Sequence, residues 1–440
     1  MRHNLHFSDE LISMGYRFSR ALGTLAGSIV LSLATANAPA AEPAQRPPQW
    51  VAAWATALQS IPELHEPPPL YRAPEVGDRT VREIIYPTLS GERIRLRVSN
   101  AYGRAPLVLT DVRIARSAAA AATRPPASAP ITFGGRASID LLPGQELESD
   151  AIPFKLDAGA AYAVSAHAAP GQVLGAWHRV ANQVNYVSVP GDHAGDPSTN
   201  AYGTRFTEHA WVTGISVEAA AASAIAAIGD SITDGMRSTL DQNRRWPDAF
   251  ARRLMEAGQH TTAVLNLGIS GNRLLSDSPC YGEALERRFA RDVLARPGVK
   301  AAIVLIGIND INFAAMPPRR GLDCDAPHTQ VAAGDLIEGY RRLIEASHAR
   351  GVRIFGATLT PASLPVGREA IRQSVNAWIR SSGAFDGVID FDAALRDPGH
   401  GERLRAEYDS GDHIHPSDAG YAAMAHAVPL DAVVSAARGR

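Results

Sequence analysis

From about residue 220 the chain repeats one pattern about five times: a short, continuously apolar run, a turn, and then an amphipathic segment of helical period. The runs are AIAAIG (224–229), TAVLNLG (262–268), AAIVLIG (301–307), VRIFGATL (352–359) and GVIDF (387–391). Strands that are apolar at nearly every position suit burial on both faces, which requires helices on either side of a parallel sheet. The segments WPDAFARRLMEAG (246–258), ALERRFARDVLA (284–295), DLIEGYRRLIEASHARG (335–351) and REAIRQSVNAWIR (368–380) supply those helices, with Gly258 and Gly351 as stop signals. Right-handed crossovers then wind the five strands into an α/β, doubly wound parallel sheet.

Ahead of residue 220 the period changes to two. ERIRLRVSN (92–100), PLVLTDVRIA (106–115), RASIDLL (136–142) and AAYAVSAHA (160–168) alternate and are bounded by turn residues, which predicts an all-β sandwich or jelly-roll-like domain. Between them AAAAATRPPASAP (118–130) reads as a surface loop. With 440 residues, 45% of them hydrophobic, the chain can fill two cores. The expected division is a β-sandwich accessory domain over 50–220 and a catalytic domain over 221–440.

The N-terminus has the layout of an export signal: Arg17 and Arg20, the apolar stretch ALGTLAGSIVLSLATA, and the small-residue run ANAPAAEP. Cleavage near Ala40 would leave a Pro-rich lead-in over 41–49. Met14 is an alternative start, and an uncleaved anchor is the alternative to a signal peptide over 1–40. The expectation is a secreted or periplasmic protein with no stable membrane insertion after cleavage. In an oxidising compartment Cys280 and Cys324, the only cysteines, are candidates for one disulfide, with two isolated thiols as the alternative. The formal charge is −2 and lysine occurs only at Lys155 and Lys300. Acidic residues balance the arginines without long like-charge blocks, so no nucleic-acid partner is expected.

In a doubly wound sheet, ligands bind beyond the carboxyl ends of the strands where strand order reverses. The first run ends in Gly229-Asp230-Ser231, the second leads to Gly271 in GISGN, the third to Asn309 in GIND, and after the fifth comes DHIHPSD with Asp412 and His415. All of these fall on one rim. A serine hydroxyl becomes a nucleophile when an imidazole takes its proton and a carboxylate fixes the imidazole tautomer, roles open to Ser231, His415 and Asp412. The backbone N–H groups of Ser231 and Gly271 and the side-chain amide of Asn309 are candidate donors to a developing oxyanion.

Each residue also has a plainer reading. Ser231 can be the N-cap of the following helix with Asp230 assisting, and Asp230 and Asp310 can be structural. His413 beside Asp412 and His415 allows a metal cluster, although no HExxH or HxHxDH motif adds ligands. Asp392 is the second choice of acid for His415, Gly268 competes with Gly271, and Asn309 can merely tie down its loop. Trp246 and Trp378 read as packing residues, whereas Trp50, Trp54, Trp177 and Trp211 can pack or offer sugar-stacking faces.

The blocks GDSITDG, ISGN, GIND and DHIH, in this order, resemble the four blocks of the SGNH or GDSL-type hydrolases over roughly residues 223–436. By position the resemblance implies Ser231 as nucleophile and oxyanion donor, Gly271 and Asn309 as the other donors, His415 as base and Asp412 as its partner, with no cofactor or metal. The β-rich half is similar, more loosely, to that of secreted two-domain bacterial esterases related to acetylxylan esterases. The functional expectation is a serine esterase of short acyl or acetyl esters, carbohydrate-linked ones included, so that its partner is a small-molecule or polysaccharide ester. A lipase or phospholipase of the same family and a catalytically silent carbohydrate-binding or adhesive protein are the alternatives.

Overall fold

In the computed structural model, residues 49–125 and 128–439 are described; the export signal and nearly all of the Pro-rich lead-in lie outside them. Two antiparallel sheets form the first half. One contains β1 (Trp50–Ala55), β3 (Gly91–Ser99) and β7 (Val212–Glu218) in the order β1-β7-β3, extended by Glu146–Glu148 and Ile152–Leu156. The other runs β6-β2-β5-β4, from β2 (Arg79–Ile85), β4 (Leu107–Arg116), β5 (Tyr162–Ala168) and β6 (Asn185–Pro190), with short strands at its margins.

Alternation places Ile94, Leu96 and Val98 of β3 in the same core as Val112 and Ile114 of β4 and Val164 and Ala166 of β5. In β4 the alternation is not continuous. Leu109 and Val112 are both buried, and opposite Asp111 and Leu109 the ladder to β5 skips Thr110. This bulge resets the phase, which a simple period of two would carry to the wrong face. Nor is 118–130 wholly surface loop: Ala121 is 1% exposed, packed with Ile84, Ala163 and Tyr202 on the outer side of the second sheet, and Ala129–Pro130 pairs with β4.

The second half follows the repeated pattern. Strands β8 (Ser223–Gly229), β9 (Thr262–Gly268), β10 (Val299–Leu305), β11 (Arg353–Ala357) and β12 (Gly387–Ile389) form one parallel sheet in the order β9-β8-β10-β11-β12. Strand order reverses between β8 and β10, so the crevice beyond their carboxyl ends is the expected ligand position. Helices Trp246–Glu256, Ala333–His348 and Val366–Ser381 cover the sheet where their sequence predicts. The segment 284–295 departs from this regularity, being α-helical over Leu285–Phe289 and a π-helix over Ala290–Leu294. Among the described residues no helix is long and apolar enough to cross a membrane.

The halves share one apolar core. The free edge of β9 is covered by Thr88, whose hydroxyl accepts from Val264 N at 3.0 Å and donates to Val264 O at 2.9 Å, so the edge strand does not present an unpaired template. Arg296, at the end of the π-helical segment, donates to Thr213 O and Thr56 O at 3.2 and 3.1 Å.

Candidate active site

Strand β8 is buried throughout and ends at Gly229. A four-residue helix, α1 (Ser231–Asp234), starts at once. Its N-cap is Asp230, whose side chain accepts from Ile232 N at 3.0 Å, so Ser231 is not the cap and its hydroxyl is free for other use. Burial pushes the Asp230 carboxyl up to about 7, consistent with a bracing group held in the fold.

The imidazole comes from the other end of the chain. His415 Nε2 lies 2.8 Å from Ser231 Oγ, and its Nδ1 lies 2.8 Å from Asp412 Oδ2. With Nδ1–H donated to a carboxylate, Nε2 carries the lone pair that faces the serine hydroxyl. Asp412 is held in turn: Oδ1 accepts from His415 N at 2.8 Å and Ile414 N at 3.1 Å, and Oδ2 also accepts from Arg237 Nε at 3.1 Å. Burial works to raise its carboxyl, but the hydrogen bonds from the His415 ring and the backbone outweigh it and hold Asp412 well below the usual carboxylate range. It stays ionised at neutral pH.

Loops after the strands flanking β8 carry the candidate anion donors. Gly271 has φ 82°, and a Cβ there would collide with the Tyr281 ring, so both conformation and space require glycine. Gly268, its competitor, serves packing instead. As the last residue of β9 it lets α1 approach so closely that a Cβ would collide with Asp234 N. Among the described residues the N–H groups of Ser231 and Gly271 have no protein acceptor. Asn309 occupies the second position of helix Ile308–Phe313. It does tie down its loop, since Nδ2 donates to Asn272 O at 3.0 Å. An amide carries two N–H groups, and the second has no protein acceptor among the described residues.

Asn272 is fixed by Arg288, a fully buried side chain that donates to Asn272 Oδ1 at 3.0 Å, Gly229 O at 3.0 Å and Leu267 O at 2.9 Å. One guanidinium thus joins the ends of β8 and β9 to the loop carrying Gly271. Cys280 and Cys324 form a disulfide with Cα atoms 5.1 Å apart, linking the loops that follow β9 and β10. Next to it Tyr281 stacks on Phe313, ring centroids 5.4 Å apart, and presses against Gly271.

The remaining candidates take structural positions. His413 Nδ1 pairs with Asp409 Oδ2 at 2.6 Å, away from Asp412 and His415. Asp392 is buried among Arg372, Arg380 and Arg396 at 2.7, 2.6 and 3.2 Å, so its carboxylate serves three guanidinium groups rather than His415. Asp310 accepts from Leu274 N and Leu275 N at 2.8 and 3.0 Å. Trp177, Trp211 and Trp246 are buried, while Trp50 lies beneath Arg95 and Trp54 packs on His209. A cleft of about 250 Å³ in the β-rich half, lined in part by Ile61, Asn100, Arg104, Gln172 and Trp211, contains none of the site residues.

Arg237, Arg288, Asp234, Ser270 and His178 were not singled out by sequence reasoning. Asp234 lies inside the GDSITDG block and Ser270 beside Gly271. Their polarity in segments otherwise buried was the only available signal.

Residues 227–423 match the model of the GDSL-like Lipase/Acylhydrolase family. No curated protein matches the chain. Among solved structures, a GDSL-like lipase from Bacteroides thetaiotaomicron is 18% identical, covering 48% of this chain and 87% of its own, with a TM-score of 0.33. A catalytic mutant of an acetylxylan esterase from Geobacillus stearothermophilus is 21% identical over 48% of this chain and 94% of its own, with a TM-score of 0.36. An alpha/beta hydrolase enzyme from the metagenome of Lake Arreo is 19% identical over 49% and 97%, with a TM-score of 0.37. The sequence blocks seated at the carboxyl rim of the parallel sheet fall in the segment 227–423, which is similar to the GDSL-like lipase/acylhydrolase family.

Proposed function

We propose that this protein is an exported serine esterase in which Ser231, His415 and Asp412 act as a catalytic triad. The observation that carries the reading is the unbroken relay from Ser231 Oγ through His415 to Asp412, with both links at 2.8 Å. As Ser231 Oγ attacks an ester carbonyl carbon, His415 Nε2 takes its proton, and Asp412 holds Nδ1–H and stabilises the imidazolium. The carbonyl oxygen becomes an oxyanion received by the N–H groups of Ser231 and Gly271 and the Asn309 amide. When the tetrahedral intermediate collapses, the C–O bond to the alcohol breaks and His415 returns its proton to the leaving alkoxide. Water, deprotonated by the same ring, then attacks the acyl-enzyme, releases the acid and restores Ser231.

Short acyl esters are the proposed substrates, acetyl groups on polysaccharides among them. The export-type N-terminus and the accessory β-rich half support this, since both suit a polymer encountered outside the cytoplasm. The test is a panel of p-nitrophenyl esters from acetate to long acyl chains, acetylated xylan and phospholipid, assayed with wild type and Ser231→Ala. Turnover of the short esters by wild type and its loss in a folded Ser231→Ala variant is the expected outcome. Equal turnover by the two proteins would reject the nucleophile, and a preference for long chains or phospholipid would reject the substrate class.

A further inference from the structure

We infer that His178, supplied by the β-rich half, is a positioning residue for the anion-binding loop, acting through Asp234 and Ser270. The inference rests on the esterase reading above. His178 follows the short strand Ala176–Trp177 and is 3% exposed. Its Nδ1 lies 2.9 Å from Ala57 O, and its Nε2 lies 3.0 Å from Asp234 Oδ1 and 3.2 Å from Val180 O. Each ring nitrogen faces oxygen atoms only, and the ring is held between the two halves of the molecule. Its backbone exchanges both hydrogen bonds with that of His209, at 2.9 and 3.0 Å. The His209 ring stacks alongside at 6.2 Å and bonds Glu83 Oε2 at 3.1 Å. The donor therefore stands on a rigid, buried support.

Asp234 receives that donor. It is the last residue of α1, three positions after Ser231, and is 1% exposed. While Oδ1 accepts from His178, Oδ2 accepts both Ser270 N at 2.8 Å and Ser270 Oγ at 2.6 Å. Ser270 immediately precedes Gly271. One carboxylate thus ties the helix of the proposed nucleophile to the loop of a proposed oxyanion donor, and His178 fixes its free side. A buried carboxylate deprived of a partner must protonate, rotate or draw in water, and each response moves or loosens Ser270. A donor that serves a developing charge is useful only in place, so the cost falls on the transition state rather than on substrate binding.

The experiment measures kcat and KM for p-nitrophenyl acetate with wild type, His178→Gln, Ser270→Ala and the double variant, each normalised to Ser231 sites titrated with a fluorophosphonate. A displaced reacting geometry lowers rates by up to about 100-fold, so His178→Gln is expected to lose roughly 10- to 100-fold in kcat with KM little changed. The double variant is expected to lose less than the product of the single losses, because both substitutions break one path. Unchanged kcat per titrated site in His178→Gln, or losses that multiply, would overturn the inference while leaving the esterase reading intact. Absence of turnover in wild type would overturn both. If circular dichroism shows that His178→Gln does not fold, Ser270→Ala alone decides: a fall in kcat at constant KM supports the path, and an unchanged kcat overturns it.

Discussion

Replacing Asp412 with asparagine changes one oxygen to an NH2 group and predicts the largest loss that so small a substitution can cause here. Asp412 Oδ1 sits between two backbone donors, His415 N at 2.8 Å and Ile414 N at 3.1 Å. Those donors cannot turn away, so the asparagine carbonyl oxygen takes the Oδ1 position and its NH2 group the Oδ2 position. There the amide meets His415 Nδ1 at 2.8 Å and Arg237 Nε at 3.1 Å. The ring can relieve the clash of donors by moving its proton to Nε2 and accepting from the amide through Nδ1, but Nε2–H then faces Ser231 Oγ and no base remains. A wrong tautomer of this kind costs about 10⁴ in kcat in the serine protease that serves as the general template, or roughly 5.4 kcal/mol at 1.36 kcal/mol per decade. Asp412→Ala imposes no tautomer, so it is expected to retain more activity than the asparagine variant. The assay is steady-state release of p-nitrophenolate, with Ser231→Ala as the floor. An Asp412→Asn enzyme within tenfold of wild type, or one faster than Asp412→Ala, would refute the reasoning.

Three further outcomes follow from individual contacts. Asn309→Ala removes a donor and also the tie to Asn272 O; kcat is expected to fall by about 10² to 10³, and a change of only twofold in steady-state rates would demote the residue to a loop tie. Cys280→Ser with Cys324→Ser opens a cross-link spanning 44 positions, which loop-closure entropy values at roughly 4 kcal/mol; chemical denaturation should show a loss approaching that figure, and equal stability of the two proteins would refute it. Burial pushes the Glu83 carboxyl up to about 8, whereas an unfolded glutamate titrates near about 4.3. Wild-type stability from this group is therefore full below the unfolded value and declines as pH rises through that window. Glu83→Gln escapes the decline, so its melting temperature relative to wild type should climb between acid and mildly alkaline pH; a difference independent of pH would exclude the mechanism.

The parallel sheet was legible because its strands are buried on both faces and need an apolar residue at nearly every position, a pattern that little else imitates. The rim could be read in part for the same reason: Ser231, Gly271 and Asn309 closely follow strand ends, whereas the Asp412–His415 loop lies beyond helix Phe391–Leu395 and was joined to them by its residue types and the family resemblance. The β-rich half was less transparent. Strand β2 was hidden by Arg82 and Glu83, which are 1% exposed but look like solvent-facing charges. Arg82 is satisfied by Ser165 Oγ and the carbonyls of Ala121 and Asp196 at 2.7, 2.6 and 2.8 Å, partners 39 to 114 residues away that no local window can supply. Strand β1, WVAAWA, has no alternation because one face meets the sandwich core and the other the second half. His178 had no local signal, since its carboxylate partner Asp234 lies 56 residues later.

Contacts from both halves converge on the edge strand of the parallel sheet. Strand β9 is an edge of the parallel sheet, and it leads directly into Ser270, Gly271 and Asn272. An edge strand has backbone groups paired on one side only, a poor support for the proposed oxyanion donor. In this molecule Thr88 occupies the open edge at Val264, Arg288 ties the strand end to β8, and His178 secures Asp234 against Ser270. Arg288 in turn hangs on Asp292 at 3.2 Å, in the π-helical segment whose next arginine, Arg296, anchors to Thr56 and Thr213 of the β-rich half. Arg288, before the π-helical turn, and Arg296, after it, thus reach targets in the second and first halves respectively. On the proposed esterase reading, the β-rich half would serve without a sugar-binding surface, by bracing the sheet edge that leads into the loop beside Ser231.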